Sequence, residues 1–469
     1  MARARRAGIT PAKEGPCLIL NRRRILAAAL AAPLRATAQS TPVAPIPLEA
    51  RVGALRLSPE PAPETPIWGF NGVCPGPILR ARKDVEFGVR LLNRLQQPMA
   101  LHFQGLRIAN GMDGAAGLTR EAVAPGGDFD YRFTPVDSGF YWYRPSAFPF
   151  AAEQAARGLR GMLIVDESAP PPVDLDLPLM IADWRLDDRH EIAGPFPDPA
   201  AMAGEGRVGD IVTTNGKAIP LSIEQRPGAR TRLRLLNACN ARLIALIFQN
   251  MRPLVVAIDG QPCDPFEPAR MILPMGPGAR FEVMVDLPAG DAPAAAIKLR
   301  GGGLRADPGG EPDRDLVTFA VKGDPVAAKP PIAGLGLNPR LPTEIKLQNA
   351  RRLDIAIEGP FPATSAIWRL NGAMAADRPL FTARRNQPVA LGFINKTPVA
   401  QSIHVHGHVM RILHLLDDGW EPYWRDTILV GPGKTARVAF VADNPGKWLI
   451  DSTILEHSAG GLRGWFEVA

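Results

Sequence analysis

Three histidines have the residue type and the spacing that metal binding requires. His404 and His406 alternate along the chain, so on a strand both imidazoles would point to the same face. Together with His102, from the other end of the chain, they could hold one copper or zinc ion in a three-imidazole site. The alternative is that all three are hydrogen-bonded imidazoles buried in a contact between domains. The sequence leaves both interpretations open.

Several classes of function are disfavoured by the sequence. It contains no Gly-x-Ser-x-Gly elbow, no phosphate-binding loop and no Cys-x-x-Cys pair. The formal net charge of +7 resides in residues 1–38, which carry eight basic residues and one acidic residue. The rest of the chain is therefore close to neutral, and we expect no nucleic-acid partner.

Several segments occur in an order and spacing typical of one family. They are NGVCPGP at 71–77, HFQGL at 102–106, NGMDG at 110–114, FYWYRPS at 140–146, QSIHVHGH at 401–408 and DSTILEH at 451–457. In this series the chain resembles the multicopper oxidases over nearly all of its length after the leader. The resemblance implies three cupredoxin domains, a type 1 copper in the last domain and a trinuclear copper cluster between the first and last.

Most of the ligands that the resemblance implies are replaced. His102, His404 and His406 match histidines of the trinuclear cluster. The other positions of that cluster are occupied by Gln104, Arg144, Ser146, Asp451 and Thr453. A guanidinium is always charged and has no lone pair to offer a metal, so Arg144 would oppose copper.

The type 1 copper position is also altered. Gln401 and Ser452 stand where the family has a histidine and the cysteine, while His457 matches the second histidine and Leu462 lies near the axial methionine. A blue copper centre needs the cysteine thiolate with two imidazoles. Since Ser452 offers only a neutral hydroxyl, we expect no such centre, and we expect His457 to be a hydrogen-bonded, partly buried histidine.

Two arrangements of Arg144 and Asp451 are compatible with the sequence. The two side chains could form an ion pair that fills the space of the cluster, helped by Gln104 and Ser146. Alternatively, both could turn outward to solvent.

The elements that position these residues are predicted to be strands. Residues 84–93, 231–237 and 436–441 alternate apolar and polar side chains, as half-buried strands of sandwiches do. Gly and Pro residues are spread along the chain, which favours short strands joined by turns. The predicted fold class is all-β, and the resemblance makes it three cupredoxin-like Greek-key β-sandwiches.

A threefold internal repeat supports this organisation. Asn-Gly turns at 71–72, 215–216 and 371–372 are each followed by a strand that ends in asparagine, at Asn93, Asn237 and Asn395. Pro-rich stretches at 169–172 and 322–343 are typical of linkers. We therefore predict domains at 46–168, 172–322 and 344–469.

Residues 1–38 are predicted to be an export signal. Arg22, Arg23 and Arg24 precede a short apolar run and an Ala-x-Ala pattern, which favours the twin-arginine route over general secretion. The chain would then be periplasmic, with a mature part that does not span the membrane. In an oxidising compartment a disulfide could form, and Cys239 with Cys263 is the predicted pair.

The predicted function is a non-catalytic, copper-free periplasmic protein that binds an envelope protein partner. The resemblance extends to a bacterial cell-division member of the family with degraded ligand motifs, so a division or envelope role is one hypothesis. The enzyme-class alternative is a copper-binding oxidoreductase with a residual metal site at His102, His404 and His406. A small-ligand binding protein is a third hypothesis.

Overall fold

The computed structural model describes residues 44–289, 294–305, 309–362, 367–373, 378–415, 417 and 419–469. The predicted export signal at 1–38 lies outside the described residues. The described elements are almost all strands, so the all-β prediction is confirmed.

The first group of strands forms two four-stranded sheets, ordered β2-β1-β4-β6 and β3-β8-β7-β5. Side chains from both sheets, including Leu48, Val89, Leu101 and Leu163, meet in one hydrophobic core, so the two sheets form a sandwich. The elements are β1 (Ile46–Leu55), β2 (Thr65–Phe70), β3 (Leu79–Arg82), β4 (Phe87–Asn93), β5 (Leu101–Gln104), β6 (Asp128–Phe133), β7 (Gly139–Pro145), α1 (Ala151–Ala156) and β8 (Gly161–Asp166), with a 3₁₀ turn at Asn110–Met112.

The second group forms a seven-stranded and a five-stranded sheet, ordered β11-β10-β9-β13-β18-β15-β16 and β12-β20-β19-β14-β17. The elements are β9 (Leu175–Trp184), α2 (Pro199–Ala203), β10 (Ile211–Thr214), β11 (Lys217–Ala218), β12 (Leu221–Gln225), β13 (Arg230–Asn237), β14 (Ile244–Gln249), β15 (Leu254–Ile258), β16 (Gln261–Phe266), β17 (Ile272–Met275), β18 (Arg280–Asp286), β19 (Ala295–Leu299) and β20 (Arg314–Val321), with a 3₁₀ turn at Ala269–Met271. Its core again draws on both sheets, for example through Leu233 and Leu246.

The third group forms two five-stranded sheets, ordered β22-β21-β24-β28-β26 and β23-β30-β29-β25-β27. The elements are β21 (Arg351–Glu358), β22 (Arg369–Leu370), β23 (Phe381–Ala383), β24 (Gln387–Asn395), β25 (Gln401–Val405), β26 (Arg411–Leu413), β27 (Thr427–Val430), β28 (Thr435–Ala442), β29 (Gly446–Ser452), α3 (Leu455–Ala459) and β30 (Arg463–Val468), with a 3₁₀ turn at Leu347–Asn349. Trp368 and Trp448 lie fully buried in its core.

The three groups repeat one pattern of pairing. The first strand of each pairs in parallel with a later strand that ends in asparagine: β1 with β4, β9 with β13, and β21 with β24. The terminal asparagines bind the backbone alike, since Nδ2 of Asn93, Asn237 and Asn395 donates to the carbonyls of Val123, Met275 and Val430. Each such bond joins the end of a strand to a backbone carbonyl later in the same sandwich. The three asparagines therefore hold equivalent positions in the three sandwiches.

The Asn-Gly turns also repeat. Asn71, Asn215 and Asn371 all have positive φ, near 50°, and each is followed by a glycine with positive φ. This is the backbone of the tight hairpin turn that Asn-Gly favours. The strands predicted from alternation are present as β4, β13 and β28, although β4 begins at Phe87, three residues after the predicted start at 84. No strand lies within 169–172 or 322–343, the two stretches predicted to be linkers.

The predicted disulfide between Cys239 and Cys263 is wrong. Both thiols are free and buried, as is that of Cys74. Cys239 follows β13 and Cys263 lies in β16, and two strands separate β13 from β16 in the sheet. Three strand spacings are roughly 14 Å, whereas a disulfide needs Cα atoms within about 7 Å.

Candidate functional site

Two strand pairs, one from the first sandwich and one from the third, face each other across a buried contact. In the first sandwich β5 pairs with β7, which sets His102 opposite Arg144. In the third, β25 pairs with β29, which sets His404 opposite Asp451. His406 lies just beyond β25, and its ring centroid is 4.0 Å from that of His102. The structure thus brings together the three histidines that were predicted to lie near each other.

His102 and His404 point their Nε2 atoms at each other, 3.3 Å apart. The Nδ1 atom of each ring donates to a backbone carbonyl at 2.9 Å, that of Asp113 for His102 and that of Asp426 for His404. Burial lowers the pKa of His102 to about 3 and also lowers the pKa of His404. Both rings are therefore neutral, with the Nε2 lone pairs available to a metal ion.

His406 is held in a different state. Its Nδ1 lies 2.8 Å from Oδ2 of Asp113, and its Nε2 lies 3.3 Å from Oδ1 of Asp451. Burial alone would lower its pKa, but the carboxylates of Asp113 and Asp451 raise it to about 9. His406 is therefore an imidazolium that donates from both nitrogens. One ring nitrogen from each of the three histidines lies within 4.8 Å of the other two. His406 must lose a proton before its nitrogen can bind a metal.

Arg144 is buried next to this cluster, opposite His102 in the strand pair. Its side chain is 1% exposed, and its Nε donates to Oε1 of Gln104 at 2.9 Å. Its Nη2 is 3.9 Å from Oδ1 of Asp451, at the limit of an ion pair. Asp451 is also buried. The alternative in which both side chains turn outward to solvent is therefore wrong.

Gln104 and Ser146 fix the surroundings of Arg144. Nε2 of Gln104 donates to Oγ1 of Thr427 at 3.0 Å, so this amide joins the first sandwich to the third. Oγ of Ser146 donates to the carbonyl of Gly114 at 2.6 Å. Gln104 and Ser146 are thus engaged with protein partners, while Nη2 of Arg144 has no hydrogen-bond partner in the described part of the chain.

The second sandwich supports the cluster with a buried ion pair. Arg280 binds Asp426 through Nη2, and its Nη1 donates to the carbonyl of Gly278 at 2.7 Å. Asp259 accepts from the backbone N–H groups of Arg280 and Asp426 at 3.0 and 3.2 Å. Burial, with repulsion from Asp426, raises the pKa of Asp259 to about 6.

Sequence reasoning missed Asp113 and Asp426. Asp113 contacts both His102 and His406 through its carboxylate, at 3.3 and 2.8 Å. Asp426 contacts His404 at 3.3 Å. Asp113 belongs to the NGMDG segment, so a motif did point to it, but its partner His406 lies in another sandwich. No comparable signal marks Asp426.

A second group of predicted residues lies at the junction of β25, β29 and α3. Nε2 of His457 donates to the carbonyl of Gly204 at 2.8 Å, and its Nδ1 lies 2.9 Å from Oε1 of Gln401. Burial lowers the pKa of His457 to about 4, so this ring is neutral and hydrogen-bonded. It is fully buried, where partial burial was predicted.

The other residues of this second group also form hydrogen bonds with nearby groups or pack in the core. Oγ of Ser452 accepts from the backbone N–H of Ile454 at 3.1 Å. Oγ1 of Thr453 donates to Oγ of Ser402 at 2.7 Å, and Leu462 is fully buried in the core. The side chains here are therefore two hydroxyls, an amide, an imidazole and an alkyl group.

Among the described residues, no helix has the length and apolar character needed to cross a membrane.

Comparison with known proteins gives one consistent result. Two family models described as multicopper oxidase match residues 51–170 and 336–469. The multicopper oxidase MmcO of Mycobacterium tuberculosis is 27% identical over 89% of this chain and 87% of its own length. The cell division protein FtsP of Sodalis glossinidius is 28% identical over 96% of this chain and 98% of its own length. Relatives of the chain thus include both multicopper oxidases and cell-division proteins.

Solved structures agree with this result. A multi-copper oxidase from Pseudomonas thermotolerans superposes with a TM-score of 0.79 and 30% identity, covering 91% of this chain and 99% of its own.

Proposed function

This chain belongs to the multicopper oxidase family, and we propose that it is a non-catalytic member which serves as a binding or scaffold protein in the cell envelope. The single observation that carries the proposal is the position of Arg144, which is buried opposite His102 with its guanidinium beside Asp451, the carboxylate that also contacts His406.

Buried cations already occupy the surroundings of the histidine cluster. Arg144 and the imidazolium of His406 face the carboxylates of Asp113 and Asp451, and the buried Arg463 is a further cation near Asp451. Hydrogen bonds from His406 and the charge of Arg144 hold the pKa of Asp451 below its usual range against the effect of burial. A cluster of copper ions at this place would meet a fixed positive charge and too few imidazoles. The donor set does not fit a trinuclear copper cluster.

The second group of residues does not fit a type 1 copper either. The hydroxyl of Ser452 has a pKa far above neutrality and supplies no thiolate. His457 already donates from Nε2 to the carbonyl of Gly204, and its Nδ1 faces Oε1 of Gln401 where the family has a second imidazole. Without thiolate donation, electrons have no entry point, so we propose that the chain has no oxidase activity.

The proposed location and partner rest on two further observations. Arg22 and Arg23 precede a short apolar run, as in twin-arginine export signals. FtsP, which is called a cell division protein, is similar to the chain over almost its full length. We propose a periplasmic location and an envelope protein partner, with a role in cell division as one form of that partnership.

A copper-loading experiment tests the non-catalytic proposal. Purified protein is incubated with copper(II), desalted, and assayed for bound copper, blue colour and oxygen consumption with a phenolic substrate. The proposal expects little bound copper and neither of the other signals. A blue protein that consumes oxygen would overturn it.

A residual single-metal site is the second candidate, because one observation favours it. The Nε2 atoms of His102 and His404 face each other while each Nδ1 donates to a carbonyl, as in histidines that bind a metal through one ring nitrogen and are oriented by a hydrogen bond from the other. One copper or zinc ion would bind there once His406 is deprotonated. Stoichiometric metal that is lost in His404→Gln, but kept in the control His457→Gln, would establish this candidate.

A further inference from the structure

A cavity of about 540 Å³ lies where the first sandwich meets the third. The loop at 116–122, between the 3₁₀ turn and β6, supplies one wall, and β29 and β30 supply another. The volume lies in the range of about 300 to 1,000 Å³ that small-molecule sites occupy. The three clustered histidines do not line the cavity, so binding there does not depend on whether the chain holds a metal or acts as a scaffold.

Arg463 supplies a buried cation to this cavity. Only 7% of the residue is exposed, yet within the described part of the chain its guanidinium forms neither a hydrogen bond nor an ion pair. Its nitrogens are not sealed off, in contrast to Nη2 of Arg144, and they are therefore open to the cavity. Asp451 lies opposite Arg463 in the strand pair, but its oxygens contact other side chains.

The burial of Arg463 makes its charge costly. Burial lowers the pKa of the guanidinium, Asp451 acts in the opposite direction, and the nearby Arg144 adds to the lowering. A guanidinium nevertheless stays protonated at neutral pH. A buried charge that has no partner is unfavourable, so a ligand that supplies an anion at this place would be stabilised.

Lys447 supplies a second cation. It is exposed on β29, and its Nζ lies 5.2 Å from the ring centroid of Trp465. Glu467 is opposite Lys447 in the strand pair, but the two form no ion pair. The guanidinium of Arg463 likewise lies 4.8 Å from the ring centroid of Phe148. Each cation therefore has an aromatic ring beside it and no anion paired with it.

The other lining residues indicate the class of the anion. Glu121 is the acid among the described residues that line the cavity, and it is exposed and pairs with neither cation. Two positive charges and one negative charge leave a net charge of +1, which a monoanion would neutralise. Leu118 and Leu449 supply apolar walls beside the two rings. The lining thus combines a site for one negative charge with apolar surface.

The loop that forms one wall is held by its own contacts. The N–H of Gly117 donates to the carbonyl of Arg120 at 2.8 Å, and the N–H of Thr119 donates to the carbonyl of Ala115 at 2.9 Å. The guanidinium of Arg120 lies 3.1 Å from the ring centroid of Phe129, which ties the loop to β6. The cavity is therefore formed before a ligand arrives, which reduces the entropy lost on binding.

We propose that this cavity binds a small organic monocarboxylate with an apolar, ring-containing body. The carboxylate accepts from the guanidinium of Arg463, whose paired donors match two carboxylate oxygens. Lys447 adds a second positive charge at the exposed side of the cavity. The apolar body lies against Leu118, Leu449 and the ring of Phe148. A phosphate monoester would bring a second negative charge near Glu121 and is therefore disfavoured.

Isothermal titration calorimetry with 3-phenylpropanoate tests the proposal. The matched analogue is 3-phenylpropanamide, which has the same shape and no charge, and phenyl phosphate carries the additional negative charge. The carboxylate should bind and raise the melting temperature. The amide should bind about tenfold more weakly or worse, since a hydrogen bond between charged groups is lost. Phenyl phosphate should bind more weakly than the carboxylate.

Variants assign the contacts. Arg463→Gln should lower the affinity for 3-phenylpropanoate about tenfold or more and remove the preference over the amide. Lys447→Gln should lower it about twofold to fivefold, because this charge is exposed. Lys434→Gln is the matched control, since Lys434 is an exposed lysine of the same sandwich that does not line the cavity. If Arg463→Gln fails to fold, Leu118→Trp fills the cavity, keeps both cations and should abolish binding.

Four results would overturn the proposal. The first is no heat and no stabilisation from 3-phenylpropanoate at millimolar concentration. The second is equal affinity for the carboxylate and the amide, which would mean that the cations make no contact with the ligand. The third is tighter binding of phenyl phosphate, and the fourth is binding of 3-phenylpropanoate that survives Leu118→Trp.

Discussion

The imidazole of His406 and the carboxylate of Asp113 form a buried ion pair, with Nδ1 and Oδ2 2.8 Å apart, between the third and first sandwiches. Asp113 also contacts His102, and Asp451 closes the other side of His406. The pair is therefore the centre of a network that joins the two ends of the chain, and each of its charges depends on the others.

Asp113→Asn should destabilise the protein strongly. The substitution leaves His406 and Arg144 as buried cations with Asp451 as the nearby anion, and breaking such a pair costs about 3 to 5 kcal/mol. Urea unfolding should show this loss in the free energy of unfolding. Asp128→Asn is the control, because Asp128 is 57% exposed and lies 3.9 Å from Arg90, so its loss should cost under about 1 kcal/mol. Equal losses in the two variants would contradict the assigned network.

Arg144→His should raise the affinity for copper or zinc. The change removes a buried cation and adds an imidazole beside His102, so we expect an increase of about tenfold or more in a metal-competition assay. Arg144→Lys keeps the positive charge and serves as the control, with no gain expected. A gain in the lysine variant would mean that packing, and not charge, limits metal binding.

Ser452→Cys combined with Gln401→His should create a blue copper centre. The double variant supplies a thiolate and a second imidazole beside His457, which is the donor set of such a centre. Copper loading followed by visible spectroscopy checks this outcome. Gln401→His alone lacks the thiolate and should stay colourless. A colourless double variant would show that the backbone at this place does not fit copper.

The free energy of unfolding should decrease as the pH is lowered, and His457 should account for part of that decrease. Its pKa is lowered from 6.5 to about 4 in the folded protein, so below pH 6.5 the unfolded chain binds a proton that the folded chain does not. Its contribution is fully present above pH 6.5 and declines as the pH falls toward about 4. At pH 5 the deficit is about 2 kcal/mol relative to pH 7.

His457→Gln should remove that part of the pH dependence while keeping a hydrogen-bonding side chain. Urea unfolding at pH 7 and pH 5 should show a smaller difference for the variant than for the unaltered protein. His414→Gln is the control, since His414 is 51% exposed beside Asp417. The assignment fails if the two variants lose the same amount between the two pH values.

Much of the fold could be predicted from the sequence, because its signals are local. Alternation predicts β4, β13 and β28, and the Asn-Gly turns with the later Asn93, Asn237 and Asn395 reveal the repeat. These patterns act through neighbours in the chain. The Cys239–Cys263 pairing failed because it depends on the order of strands in a sheet, which cysteine spacing does not encode.

The site was predicted less completely, for a related reason. The proximity of His102, His404 and His406 followed from the family resemblance. The protonation state of His406 did not, because it depends on Asp113 and Asp451, whose side chains reach it across the contact between sandwiches. The sequence also left the direction of Arg144 open, since the same strand pattern allows a side chain to face a cavity or solvent.

The polar face that carries Gln104, Arg144 and Ser146 has a consequence for synthesis. These residues leave the ribosome long before Thr427 and Asp451, which later contact Gln104 and Arg144. Until the third sandwich is synthesised, the nascent chain exposes a polar surface to solvent at this place, and not an apolar one. A product of arrested or truncated synthesis would therefore be less prone to aggregate through this surface. The surface becomes buried only after the last strands have been synthesised.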